Sequence, residues 1–429
     1  MTVVHIVLWS GVGLIVFGVS VFVYVTESVN AEARRQDDVV STSPILADQE
    51  GFLRAFGAVA GQHALPGNDV RIYQNGDEIF PPMLEAISSA RDSVHFATYV
   101  YDAGDIPDRF ASAFAEAARR GIEVRVVLDR HGAKKIPPAL VSHMRAAGCD
   151  VRWFRRAQWY DWEKYNRRTH RRLFIVDGQI GFTGGVGISD LWSGRGDSPT
   201  HWRDTHARIR GPAVGALQNA FVDTWNEATG QLPLGPRYFP PLEVAGPTAV
   251  CIVQSNPADA TSAAQRSVAA LVASSERSLR ITNAYFLPTP PFVKALCAAR
   301  ARGVDVRVVM PGPYHNKPAV RRASRHTWGE LVRGGVELYE HQRTMVHAKV
   351  IVADGCVSLV GSINFDPRSF ALNAECAAVM YDETIARHLV ETFDIDLEHS
   401  RRVTIEDLEA LNIVDRLVDA AAYWIRGQL

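Results

Sequence analysis

Two stretches of the 429-residue chain set a histidine beside a cation and close on a turn of small residues. The later one carries His347, Lys349 and Asp354, then Gly361-Ser362-Ile363-Asn364. The earlier one carries His170, Arg172 and Asp177, then Gly184-Gly185-Val186-Gly187. Every anchor in the later stretch lies 177 positions after its counterpart. Side chains alternate along an extended strand, so the histidine and the residue two places on project from one face. An imidazole is a nucleophile and a proton carrier, and the cation beside it neutralises an anion. The glycine turn brings exposed backbone N–H groups to the same edge, a fit for phosphate oxygens.

The elements that position these residues also come twice. Segments ARDSVHFATYVY and SERSLRITNAYF begin the two copies, near Ser93 and Ser278. Alanine-rich amphipathic stretches follow, Phe110–Arg120 and Phe292–Arg302, each stopped by a glycine as a helix would be. Short β-branched strands come next, within Arg119–Arg130 and Arg300–Gly312. Strand, helix, strand at this spacing predicts an α/β fold with a mixed sheet flanked by helices. A unit of about 180 residues is too long for a solenoid repeat. It predicts a duplicated domain, residues 67–235 and 236–429, whose halves pack face to face about a pseudo-two-fold axis. Pro233–Pro247 is the expected connection, and residues 31–66 are expected to be a polar linker.

Composition narrows the field. A net charge of −1 and a pI near 6.9 argue against a nucleic-acid binder held by a positive field. Cys149, Cys251, Cys297, Cys356 and Cys376 are scattered with no C-x-x-C, which excludes a disulfide scaffold and a cysteine zinc site. Val3–Val25 is 23 residues without a formal charge, long enough as a helix to cross a bilayer. Residues 1–30 are read as a transmembrane anchor rather than a buried helix or a cleaved signal. Arg34 and Arg35 follow the run and no basic residue precedes it, which puts the body in the cytoplasm.

With these residues in view, the chain resembles the phospholipase D superfamily, whose signature is a paired H-x-K-x4-D motif. Flanking segments NRRTHRR, FTGG, WRDTHARIRGPAV, NAYFLP and GSINFDPRSFALNAE resemble bacterial cardiolipin synthases. The resemblance covers about Val70 to Ser400. It implies a phosphatidyltransferase that makes cardiolipin from phosphatidylglycerol through a phosphohistidine, at the bacterial inner membrane, with no cofactor and no metal. His170 is then the nucleophile and His347 the acid and base. Lys349 and Arg172 hold the phosphoryl oxygens, helped by Ser362, Asn364 and Gly185. Each histidine needs a carboxylate at its far nitrogen. By the resemblance these are Asp204, 34 residues after His170, and Glu375, 28 residues after His347. The motif aspartates Asp177 and Asp354 stand among the catalytic set by motif, yet a strand places them far from the histidines and favours a structural role.

Two positions depart from the family. Arg172 stands where the family has Lys, in a chain with 6 Lys among 46 basic residues. Gly187 stands where the second copy has Asn364. Three rivals remain: a phospholipase D-type hydrolase, a phosphodiester nuclease, and a catalytically impaired lipid-binding scaffold. The expected partners are phospholipid and membrane, not nucleic acid. A basic-aromatic stretch from Trp153 to Arg168 suits headgroup contact, and Ile405–Ile425 reads as a packed closing helix.

Overall fold

A computed structural model describes residues 45–47, 51–154, 166–257 and 262–429, with single positions between 18 and 27. Most of the apolar run Val3–Val25 and most of the basic-aromatic stretch lie outside the described residues. Among the described residues, no helix is long and apolar enough to cross a membrane.

The first half supplies strands β1 (Leu65–Gln74), β2 (Ser93–Thr98), β3 (Glu123–Asp129), β4 (Asp150–Phe154), β5 (Arg168–Thr169), β6 (Leu173–Val176), β7 (Ile180–Gly184) and β8 (Thr205–Arg210). The second supplies β9 (Thr248–Ser255), β10 (Ser278–Asn283), β11 (Asp305–Pro311), β12 (Glu337–His341), β13 (Lys349–Ala353), β14 (Val357–Gly361), β15 (Asn373–Tyr381) and β16 (Ser400–Arg402). One half runs β4-β3-β2-β6-β7-β8-β1 across the sheet, and the other runs β12-β11-β10-β13-β14-β15-β9 in the same pattern. In each, the first three strands are parallel and the rest antiparallel.

Helices cover the sheet, and their burial follows the helical period. Asp105–Arg119 turns Ile106, Phe110, Ala111, Phe114 and Ala117 inward. It ends at Gly121, whose φ of +87° suits a residue without a Cβ. Each half has its own apolar core. A third cluster belongs to both, with Leu217, Phe221 and Trp225 packed among Val250, Val346, Val352 and Leu389.

The halves face each other as expected, with β6 and β8 packed against β13, β14 and β15 in the third cluster. They also join at an edge: β1 and β9 pair antiparallel, with Leu65 opposite Val250 and Asn68 opposite Thr248, making one 16-stranded sheet. Pairing two edge strands satisfies backbone groups that would otherwise be left open. One expectation changes here. The expected linker contains a helix, Phe52–Ala60, which buries Phe52, Phe56 and Ala60 in the core of the second half. The closing helix Ile413–Trp424 is tied to Pro318–Arg333 by Arg322–Asp415 and Arg325–Asp419 ion pairs. Its outer face leaves Ile413, Val414, Leu417 and Val418 exposed.

Asp177 and Asp354 follow β6 and β13, at the opposite ends of those strands from the histidines, and neither lines the pocket described below. Both adopt positive φ, 54° and 52°. The Asp177 carboxylate accepts from the N–H groups of Arg91, Asp92 and Ser93 at 2.8–3.0 Å. Asp354 accepts from Glu276, Arg277 and Ser278 at 2.7–2.9 Å. Each pins the entry to the strand beside its histidine strand, so their placement in the catalytic set is corrected to a structural one. Asp177→Ala or Asp354→Ala should cost about 1–3 kcal/mol of stability by leaving amides unpaired. Urea denaturation should show that loss. A stability unchanged from wild type would contradict the assignment.

Candidate active site

β6 and β13 occupy equivalent places in the two halves, and the short strand β5 and the bridge at Val346, which lead into them, bring His170 and His347 to the middle of the molecule. Each histidine is stitched to the other half. The His170 N–H donates to the carbonyl of Ala374 at 2.9 Å, and the His347 N–H donates to that of Arg203 at 2.7 Å. The next residues are Glu375 and Asp204. Glu375 lies 3.0 Å from His170 Nδ1 through both oxygens. Asp204 Oδ2 lies 2.9 Å from His347 Nδ1. Along the chain each carboxylate follows its own histidine; in space the two are exchanged. The signal was beyond a sequence reading, because exchange is visible only once β5 pairs with β15 and Arg203 bridges to Val346.

An ionised carboxylate only accepts, so each Nδ1 carries the proton and each Nε2 keeps a lone pair. The cations take matching positions. Arg172 Nη1 donates to the His170 carbonyl at 2.6 Å, and Nη2 sits 3.3 Å from His170 Nε2. Lys349 Nζ donates to the His347 carbonyl and sits 3.1 Å from His347 Nε2. Arginine therefore fills the place of lysine in the first half, with its guanidinium carbon 5.4 Å from the Tyr99 ring centre.

Both histidines open on one pocket of about 180 Å³. Asn364 lines it, and its Oδ1 has no partner among the described residues. The other two residues expected to bind phosphate are committed elsewhere. The Ser362 hydroxyl donates to Glu375 and bonds the backbone of Cys376. The Gly185 N–H donates to the carbonyl of Thr205, and a Cβ there would fall 2.1 Å from Asp204 Oδ1. Both residues serve the carboxylates instead. Gly187 has a steric reason: a Cβ would come within 2.7 Å of Val100 and 3.2 Å of the Trp192 ring. Trp192 takes that space and donates to Asp204 at 2.8 Å.

Several lining residues escaped the sequence reading. Trp202 stacks on His347 at 5.5 Å and 27°, and Trp192 and Tyr285 meet the same ring edge-on. Tyr99 meets His170 edge-on at 5.2 Å. Arg168, Lys317, Asp366 and Arg368 complete a charged wall. Trp202, Tyr285 and Arg368 stand in the segments WRDTH, NAYF and DPRSF that carried the resemblance, which was the available signal.

A family model described as cardiolipin synthase, phospholipase D-like domain matches residues 83–191 and 268–397, one span in each half. The chain is 34% identical over 346 residues to the major cardiolipin synthase of Bacillus subtilis (strain 168), covering 79% of this chain and 71% of that one. It is 32% identical over 374 residues to cardiolipin synthase of Geobacillus kaustophilus (strain HTA426), covering 86% and 74%. The chain belongs to this family. The crystal structure of phosphatidylserine synthase from Haemophilus influenzae Rd KW20 aligns with a TM-score of 0.65 at 12% identity, over 94% of this chain and 99% of that one, and shares its fold.

In this member of the cardiolipin synthase family the charged groups at the centre are all buried. Burial, with Arg172 and Lys349 beside it, drives His170 well below its ordinary value. Burial and Lys349 take His347 down to about 3 despite Asp204. Both rings are neutral at pH 7 in the free protein. Burial alone would raise Asp204, but its bond to His347 and the charge of Lys349 hold it at about 2. Burial raises Glu375 to about 7 and lowers Lys349 to about 7.

These directions predict a narrow pH profile for kcat/KM. Below about 7 the Glu375–His170 pair gains a proton, and in either arrangement Nε2 of His170 is then protonated. Above about 7 Lys349 loses the charge that attracts an anion. Activity should therefore fall on both sides of neutrality. Lys349→Arg keeps the charge and should move the alkaline limb up by a unit or more, as read from the profile. An alkaline limb that stays in place would exclude Lys349 as its source.

Proposed function

We propose that the protein makes cardiolipin from two molecules of phosphatidylglycerol through a phosphatidyl-histidine. As a member of its family it is a phosphatidyltransferase. The observation that carries the reading is the exchanged pairing, which points two carboxylate-fixed imidazoles into one pocket.

His170 is proposed as the nucleophile. Its Nε2 attacks phosphorus, and the bond from phosphorus to the glycerol oxygen breaks. His347, protonated, gives its proton to that oxygen. Its partner Asp204 is held ionised, which suits stabilising an imidazolium. The donor's phosphodiester brings a negative charge beside Lys349 and Arg172, offsetting the cations that keep His347 neutral in the free protein. After glycerol leaves, the primary hydroxyl of the second lipid gives its proton to His347 and attacks phosphorus, and the N–P bond breaks. Arg172, Lys349 and Asn364 are proposed to hold the nonbridging oxygens.

Membrane placement belongs to the same proposal. Thr26 and Glu27, just after the apolar run, bond Gln428 and Trp424 of the C-terminal segment. That joins the proposed single-pass anchor to the helix whose row of Ile413, Val414, Leu417 and Val418 is exposed. The proposal puts a lipid-facing contact at the cytoplasmic membrane surface; the junction supports the contact, and Arg34 and Arg35 after the apolar run support a body in the cytoplasm.

Purified protein in phosphatidylglycerol vesicles should yield cardiolipin and free glycerol, with EDTA without effect. Phosphatidic acid as the main product would replace the synthase reading with a hydrolase. Acid-quenched protein should carry lipid on His170. Arg172→Ala should reduce turnover on the order of 10²–10³, the usual loss for one fixed oxyanion donor. An unchanged rate in that variant would remove Arg172 from the phosphoryl site.

A further inference from the structure

The charged wall of the pocket contains a second group of cations, separate from the pair at the histidines. Arg368 is 3% exposed, on the short helix Pro367–Ala371. Its Nη2 donates to the backbone and side-chain oxygens of Asn166 at 2.7 and 3.0 Å. Its Nε and Nη1 are buried with no hydrogen-bond partner among the described residues. A guanidinium buried with two donors unmet is costly unless an anion completes it. Lys317 stands 4.8 Å over the Tyr285 ring, and its ammonium makes a 3.4 Å contact with the Leu429 carbonyl. Arg168 bonds the Tyr99 hydroxyl at 3.1 Å. All three line the same pocket as His170 and His347.

The local charges do not balance. Burial, then Arg168, lowers Arg368 to about 10, and burial with Arg168 and Arg368 lowers Lys317 to about 8. The carboxylates that act on Arg368 are Asp366 and Asp129. Burial pushes Asp366 up to about 6, and Asp129 is occupied by the N–H groups of His131, Gly132 and Thr169. By contrast Arg172 and Lys349 have two carboxylates of their own, Glu375 and Asp204.

We propose that Arg368, with Lys317 and Arg168, forms a subsite for the phosphate of the acceptor lipid. The inference rests on the transfer reaction proposed above. In that reaction the attacking hydroxyl and the acceptor's own phosphodiester sit on one three-carbon glycerol. The acceptor phosphate must therefore lie in the same pocket as the phosphorus under attack, at a second anion site. Water and neutral alcohols have nothing to place there. An acceptor held by its phosphate gains the advantage of orientation over water at about 55 M, since effective molarities of well-placed groups reach roughly 10⁵–10⁸ M. The subsite thus selects the acceptor and sets transfer above hydrolysis.

The test uses the full chain in phosphatidylglycerol vesicles with ethanol added, so that a phosphate-bearing and a neutral acceptor compete for one intermediate. Arg368→Gln should lower the ratio of cardiolipin to phosphatidylethanol about tenfold or more, the scale of one charge-assisted hydrogen bond, whatever happens to total turnover. Lys317→Gln should shift the ratio the same way and serves if the first variant does not fold. A ratio unchanged in a folded variant overturns the subsite, including when both products fall together. If the wild type yields only phosphatidic acid, the synthase reading fails at that step. The subsite is then judged by glycerol 3-phosphate, which should inhibit hydrolysis by the wild type and not by Arg368→Gln. Equal inhibition of both proteins overturns it.

Discussion

Everything at the centre of this molecule depends on two hydrogen bonds that cross between its halves, Glu375 to His170 and Asp204 to His347. A histidine with a free Nδ1 can carry its proton on either nitrogen, and only one tautomer leaves Nε2 ready to attack. Fixing that tautomer needs a carboxylate at a set distance. Here the carboxylate arrives from the opposite half, Glu375 on β15 and Asp204 just before β8. The β1–β9 junction, the β5–β15 pairing and the Arg203–Val346 bridge are the supports that hold those distances. Ser362, Ser369 and Asn373 then bond Glu375, while Trp192 and the Thr205 N–H bond Asp204.

Charged groups buried in this way contribute little net stability, since desolvation offsets much of their attraction. Stability comes from the three apolar clusters around them. The charges are kept for what they do when an anion enters. Around the histidines two cations face two carboxylates, and both imidazoles are neutral. In the proposed reaction a phosphodiester tips that balance and makes a proton available on one ring. Low dielectric strengthens the response, because charges in the interior act on each other with little screening.

The repeat was legible from the sequence because its marks are local: period, spacing, glycine stops, and an offset of 177 that holds through the histidine motif. His170, Arg172, His347 and Lys349 were found through their spacing, although only Lys349 lies within a strand and the others lead into β6 and β13. The exchanged carboxylates were not, because sequence order puts each beside the wrong histidine. Ser362 and Gly185 were assigned to phosphate on residue type, whereas in space they serve Glu375 and Asp204. Arg368 and Trp202 carry no periodic signal, and only the approach of distant loops brings them to the pocket. The helix Phe52–Ala60 was hidden by the polar, punctuated sequence around it.

A site built across a pseudo-two-fold axis is the kind that two identical chains would build at their shared interface. In such a pair every substitution occurs twice, so both sides of the site must tolerate the same residue. Here the halves are covalently one chain, and that restriction is gone. The consequence is written in the present differences: Arg172 opposite Lys349, Gly187 opposite Asn364, Trp192 filling a space on one side only. In the proposed reaction one half can adapt to the lipid that arrives first and the other to the lipid that arrives second, within a frame whose seven-strand order is common to both halves.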